Sequence, residues 1–204
     1  MNEPKRGFLF RPLRADEVEV RVGGSPIPHR ETPGGQVTYW LCPLLLYKDA
    51  RADMTVLDET VGPLGWKREH RMEGGRCFCT VSVWDEAKGQ WISRTDVGSP
   101  TAVEEVKGEC SDAFKRACTC LGIGRELYSA GQVYACLLPE EMSGDRVLVR
   151  FRVAALETDP QTRRITRLAI TDSSGQLRCD ISPRRPSAAG VGDHESQDRQ
   201  PATV

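Results

Sequence analysis

The chain has 204 residues, of which 39% are hydrophobic, enough for one domain with a tail. Lys and Arg number 28 against 29 Asp and Glu, a formal net charge of -1, which excludes a basic footprint spread over the whole chain. Any site for a polyanion must therefore be local.

The opening stretch MNEPKRGFLFRPLR shows no apolar signal region, so the eight cysteines (42, 77, 79, 110, 118, 120, 136, 179) read as free thiols of a reducing cytosol. The longest apolar run, YWLCPLLLY, is interrupted by Pro43 and falls far short of a membrane span. A soluble, cytoplasmic protein with no membrane contact is expected.

In chain order, EVEVRV (17–22) and QVTYWL (36–41) read as two strands of a hairpin, with the Pro- and Gly-rich GGSPIPHRETPGG as a long mobile tip. YKDARADMTVLDETVG sets Tyr47, Ala50, Met54, Leu57 and Val61 at steps of three and four, an apolar helix stripe that Gly62-Pro63 stops. KREHRMEGG then reads as a polar strand and turn. CFCTVSVW and QWISRTDV both alternate with period two around DEAKG, which gives three antiparallel strands.

A second helix follows. Thr101 and Glu104 form a capping box ahead of Val103, Val106, Cys110, Phe114, Ala117 and Leu121, and Gly122 suits the residue just past the helix end. RVLVRFRVAAL and ITRLAIT flank the turn TDPQTRR as a further hairpin of the same domain. From Ser182 the chain has almost no large apolar residue, so residues 1–177 are read as the domain and 178–204 as a disordered tail.

At about 100° per residue, Phe114 and Leu121 lie within about 20° of Val103, while Lys115 sits near 120° and Arg116 near 220°. The basic doublet therefore faces outward with Asp112 and Thr119. Spacing alone favours a plain solvated face. Arg125 and the pair Gly122 and Gly124 just beyond make it a candidate phosphate grip. The four tryptophans (40, 66, 84, 91) read as packing residues.

Metal binding and catalysis find little support in the pattern. Cys77 and Cys79 share a strand face with Val81 and Val83 and read as core residues; Cys118 and Cys120 diverge on a helix. With only His29, His70 and His194 besides, no metal site is expected. No phosphate-binding loop, H-E-x-x-H or G-x-S-x-G motif occurs, so no enzyme and no cofactor are expected. Asp85, Glu86 and Asp96 read as acids of a solvated hairpin.

From Tyr47 to Tyr128, three stretches carry a resemblance: YKDARADMTVLDETVGPLGW, VSVWDEAKGQWISRTDVGS and EEVKGECSDAFKRACTCLGIGRELY. Together they resemble the eukaryotic Rad-fifty-two recombination mediator and its bacteriophage single-strand annealing relatives, most specifically in K-G-E-x-S-D-A-F-K-R-A followed by G-I-G-R. The resemblance implies an α+β domain with a β-β-β-α annealing core over residues 41–136, made of a helix, a three-stranded antiparallel sheet and a long helix. Extra strands would flank it on both sides. It also implies a homo-oligomeric ring or filament that anneals single-stranded DNA in recombination without ATP hydrolysis, encoded by a phage or mobile element. A single-strand-binding protein or a phage exonuclease would be a further partner.

The family's groove arginine on the first helix falls on Arg51 and its basic pair on Lys115 and Arg116; Thr119 stands where some members carry another cation. Arg125, in the next loop, and Lys107, near 40° on the wheel, complete the DNA-binding candidates. A double-stranded RNA-binding module shares the α-β-β-β-α order but concentrates lysines at the start of its last helix, where this chain reads TAVEEVK. A zinc-binding protein is the weaker alternative.

Overall fold

A computed structural model describes residues 8–99 and 105–182. Its elements in order are β1 (Val18–Val22), β2 (Ile27–Arg30), β3 (Val37–Lys48), α1 (Ala50–Val61), β4 (Trp66–Glu73), β5 (Arg76–Asp85), β6 (Gln90–Val97) and α2 (Glu105–Leu121). Then come β7 (Val133–Leu137), β8 (Met142–Ser143), β9 (Arg146–Val147), β10 (Phe151–Thr158), β11 (Ile165–Asp172) and β12 (Leu177–Ile181). The fold is mixed α+β, dominated by antiparallel strands. No helix of the described residues is long and apolar enough to cross a membrane.

Two sheets organise it. The larger has the order β12-β11-β10-β1-β3-β2, with β7 on the free side of β3, and the smaller is β4-β5-β6. In β5 the alternation drives Cys77, Cys79, Val81 and Val83 inward, as their spacing predicts. Beneath them α2 buries Ala113, Phe114, Ala117 and Cys118, and α1 buries Val56 and Leu57, so one core joins both helices to β5. A second core lies between β3, β7 and β11, around Cys42, Ala135, Leu137, Leu168 and Ile170.

Several boundaries differ from the sequence reading. The first helix starts at Ala50, not Tyr47: Asp49 Oδ1 accepts from the Arg51 and Ala52 main-chain N–H groups at 2.8 and 2.9 Å, and Tyr47 belongs to β3. The expected hairpin tip contains a strand. β3 is twelve residues long, so β1 pairs with its second half (Val18↔Lys48 to Val22↔Leu44) and β2 with its first (Ile27↔Leu41, Pro28↔Trp40). Pro28 is tolerated because β2 is an edge strand, where its missing N–H has no ladder to break.

The domain also runs past residue 177. β12 pairs with β11 through Ile181, and Arg178 bridges Asp172 and Glu141, so residues 178–181 are folded and not tail. Half-buried Cys179 and Ile181 supply apolar contacts that the tail reading overlooked. In the stretch read as one strand from Arg146, a short β8–β9 ladder precedes β10, which begins at Phe151. The Thr101–Glu104 capping box and the tail beyond 182 lie outside the described residues.

Candidate nucleic-acid interface

Two grooves border α2. The first, about 410 Å³, runs between α2 and β3 and is lined by Lys48, Asp112, Lys115, Arg116, Thr119 and Tyr128, among others. The second, about 450 Å³, is lined by Asp49, Arg51, Arg68, His70, Lys107 and Cys110, among others. Sequence neighbours divide between them: Lys48 and Asp112 line the first, Asp49 and Ser111 the second.

Of the residues singled out from sequence, Lys115, Arg116 and Thr119 gather in the first groove, and Arg51 and Lys107 in the second. The doublet is outward-facing, as the helix wheel requires. Three of the candidate cations have an acid in reach. Lys115 Nζ lies 3.9 Å from Asp112 Oδ1, Arg116 Nε 3.3 Å from Asp96 Oδ1, and Arg51 Nη1 3.6 Å from Asp49 Oδ2. The Arg51 side chain is 87% exposed, so solvent screens its pair and leaves the guanidinium able to exchange partners.

Arg125 lines neither groove. Its Nε and Nη2 donate to the Thr119 carbonyl at 3.3 and 3.0 Å, and Nη2 also to the Cys120 carbonyl at 2.9 Å. It thus satisfies the open carbonyls at the C-terminus of α2, where a cation also suits the helix dipole. Gly122, at φ 112°, completes that end: the Ile123 N–H returns to the Cys118 carbonyl at 3.1 Å and Ile123 is fully buried.

Two further groove residues, Arg68 and His70, were not among the groove candidates read from the sequence, although period two in KREHR puts both on one face of β4. Trp66, on that face, stacks on Phe114 of α2 at 6.1 Å, and the Arg68 guanidinium lies 4.9 Å from the same ring. His70 Nε2 reaches the Cys110 carbonyl at 3.1 Å.

Lys48, which lines the first groove, belongs to a buried ion pair that was also unforeseen. Lys48 Nζ contacts Asp53 Oδ1 and donates to the Ile123 carbonyl at 2.8 Å, with Lys48 and Asp53 6% and 0% exposed. Burial pushes the Asp53 carboxyl up to about 7, against the pull of Lys48. Gly124, at φ 70°, is required beside this pair, because a Cβ there would lie 2.8 Å from Lys48 Cδ.

Charged groups also fix α2 to its surroundings. Glu109, 7% exposed, accepts from the Cys77 main-chain N–H and from Arg76 Nε, both at 3.0 Å, which holds its carboxyl below the ordinary range. Val106 of the predicted buried stripe is instead 65% exposed, so the helix meets the sheet only from Glu109 onward.

No protein-family model matches the chain. No curated protein matches it. No solved structure matches it.

Proposed function

We propose that the chain binds single-stranded DNA along α2 and anneals complementary strands for homologous recombination, as a homo-oligomeric ring or filament and without ATP hydrolysis. The observation that carries this reading is the gathering of Arg51, Arg68, Lys107, Lys115 and Arg116, from α1, β4 and α2, along two grooves that border the same rigid helix. Cations so placed grip phosphates in succession and read no base edges, which leaves bases free to test a complement. The order α1-β4-β5-β6-α2 fits the β-β-β-α annealing core that the resemblance implies.

A chain with near-zero net charge can still bind a polyanion in this way, because each subunit of a closed assembly contributes a few cations to one track. A phage or mobile element acting in a bacterial cytoplasm is the setting proposed with it, and a single-strand-binding protein or phage exonuclease the further partner.

The test is the double substitution Lys115→Ala with Arg116→Ala, read by particle size in electron microscopy, single-stranded DNA affinity and annealing rate. Loss of affinity and annealing with particle size retained is expected. Unchanged affinity in an intact particle would sink the reading, and tighter binding of duplex RNA than of single-stranded DNA would favour an RNA-binding module instead.

A further inference from the structure

His70, Cys77 and Cys110 come from three elements, β4, β5 and α2, and no local sequence spacing connects them. One ligand-capable atom of each lies within 4.8 Å of the other two. We propose that these three side chains form a binding site for a thiophilic divalent cation, zinc foremost, which ties the β4–β5 hairpin to the long helix.

The geometry is close to what such an ion needs. Zn–S and Zn–N bonds of about 2.3 and 2.0–2.1 Å put tetrahedral ligand atoms roughly 3.5–3.8 Å apart, so the trio must close by about 1 Å. Side-chain rotation of two cysteines and an exposed histidine covers that distance without moving the backbone. Charge matches as well: two thiolates neutralise a dication and the imidazole stays neutral, so the complex adds no net charge to a site whose deepest ligand, Cys77, is fully buried.

The surroundings hold the ligands as metal sites hold theirs. One His70 ring nitrogen faces the Cys110 carbonyl at 3.1 Å; with that N–H donated to the main chain, the other nitrogen keeps its lone pair for an ion. Glu109, next to Cys110, fixes the β5 backbone at the opposite ligand through its bond to the Cys77 N–H at 3.0 Å. An entering cation takes both cysteines as thiolates and displaces their protons.

Access is from the second groove. His70 and Cys110 line it while Cys77 lies beneath, so the ion would sit in the groove wall with its fourth position turned to solvent. Arg51, Arg68 and Lys107 around that position favour an anionic fourth ligand such as hydroxide or a phosphate oxygen. The metal site stands on its own contacts and does not depend on the DNA-binding reading.

The experiment uses the full chain, reduced, stripped with a chelator and titrated with Zn²⁺ or Co²⁺ in the absence of nucleic acid. One equivalent per chain is expected, with a thiolate-to-cobalt charge-transfer band, tetrahedral cobalt bands in the visible and a raised unfolding midpoint. His70→Ala and Cys110→Ser should each weaken binding at least about tenfold, and Cys136→Ser, on the exposed side of β7, should not. Cys77→Ser alters the core, so the partly accessible His70 and Cys110 carry the decision, with circular dichroism confirming that both variants fold. The proposal is overturned if the reduced chain takes up no stoichiometric ion, or if His70→Ala and Cys110→Ser bind it like the parent. It also fails if Cys77 and Cys110 form a disulfide that, once reduced, yields no ion binding.

Discussion

Arg116 Nε lies 3.3 Å from Asp96 Oδ1, so a cation of the long helix is held by an acid near the end of β6. A phosphate entering the first groove must take Arg116 away from that acid. The pair is partly exposed, 48% at Arg116 and 22% at Asp96, and such pairs contribute at most about 1 kcal/mol to stability. Asp96→Asn should therefore leave the fold unaffected and tighten single-stranded DNA binding roughly two- to fivefold, the equivalent of that energy. Fluorescence anisotropy with a labelled oligonucleotide measures this, and weaker binding by Asp96→Asn would place the strand elsewhere.

Asp53 sets a pH dependence of stability. Its carboxyl titrates near 3.8 when the chain is unfolded and near 7 when folded, because burial outweighs Lys48. Between those values the native chain holds more protons, so the contribution is fully present below the lower value and is lost as pH rises toward the upper one, with a slope of at most about 1.4 kcal/mol per pH unit. Urea midpoints measured from about pH 4 to about pH 7 should fall more steeply for the parent than for Asp53→Asn, which cannot titrate. Parallel pH profiles would show that the folded carboxyl is not raised.

Much of this architecture is visible along the chain because its signals are local. The strands β5 and β6 alternate with period two, β4 stands out as a polar stretch before Gly74-Gly75, and the helix periods are stopped by Gly62 and Gly122. The unforeseen parts depend on contacts distant in sequence. β2 exists because half of β3 is left unpaired by β1, and β12 because Arg178 finds Asp172 and Glu141. Buried charges were invisible for the same reason: a pattern of apolar positions assigns Lys48, Asp53, Glu109 and Glu126 to the surface, and only their partners bring them inside. For the groove, period two places Arg68 and His70 on one face of β4, but which face meets α2 is decided by Trp66 against Phe114.

Glu126 anchors the N-terminal described segment. It is 3% exposed, accepts from the Leu13 main-chain N–H at 2.6 Å and lies 3.4 Å from Arg163 Nη2. Glu126→Ala strands both donors and should cost about 3–5 kcal/mol. Glu126→Gln keeps an oxygen for Leu13 and should cost about 1–3 kcal/mol. Chemical denaturation compares the two; equal losses would show that the charge opposite Arg163, and not the acceptor for Leu13, is what matters.

Arg125 separates holding the helix from holding DNA. Its bonds to the Thr119 and Cys120 carbonyls stabilise the end of α2, so Arg125→Ala should lower stability by about 0.5–1 kcal/mol. Because that guanidinium lines neither groove, the dependence of single-stranded DNA affinity on salt should keep its slope, whereas Lys115→Ala should reduce it by about 0.7, one phosphate's worth of released counterion. The substitution Arg125→Lys keeps the charge but loses the fork that spans two carbonyls, and should resemble Arg125→Ala in stability. If Arg125→Ala flattened the salt dependence as Lys115→Ala does, the guanidinium would have to leave the helix end when DNA binds, and the strand would extend past α2 toward the turn at Arg125–Ala130.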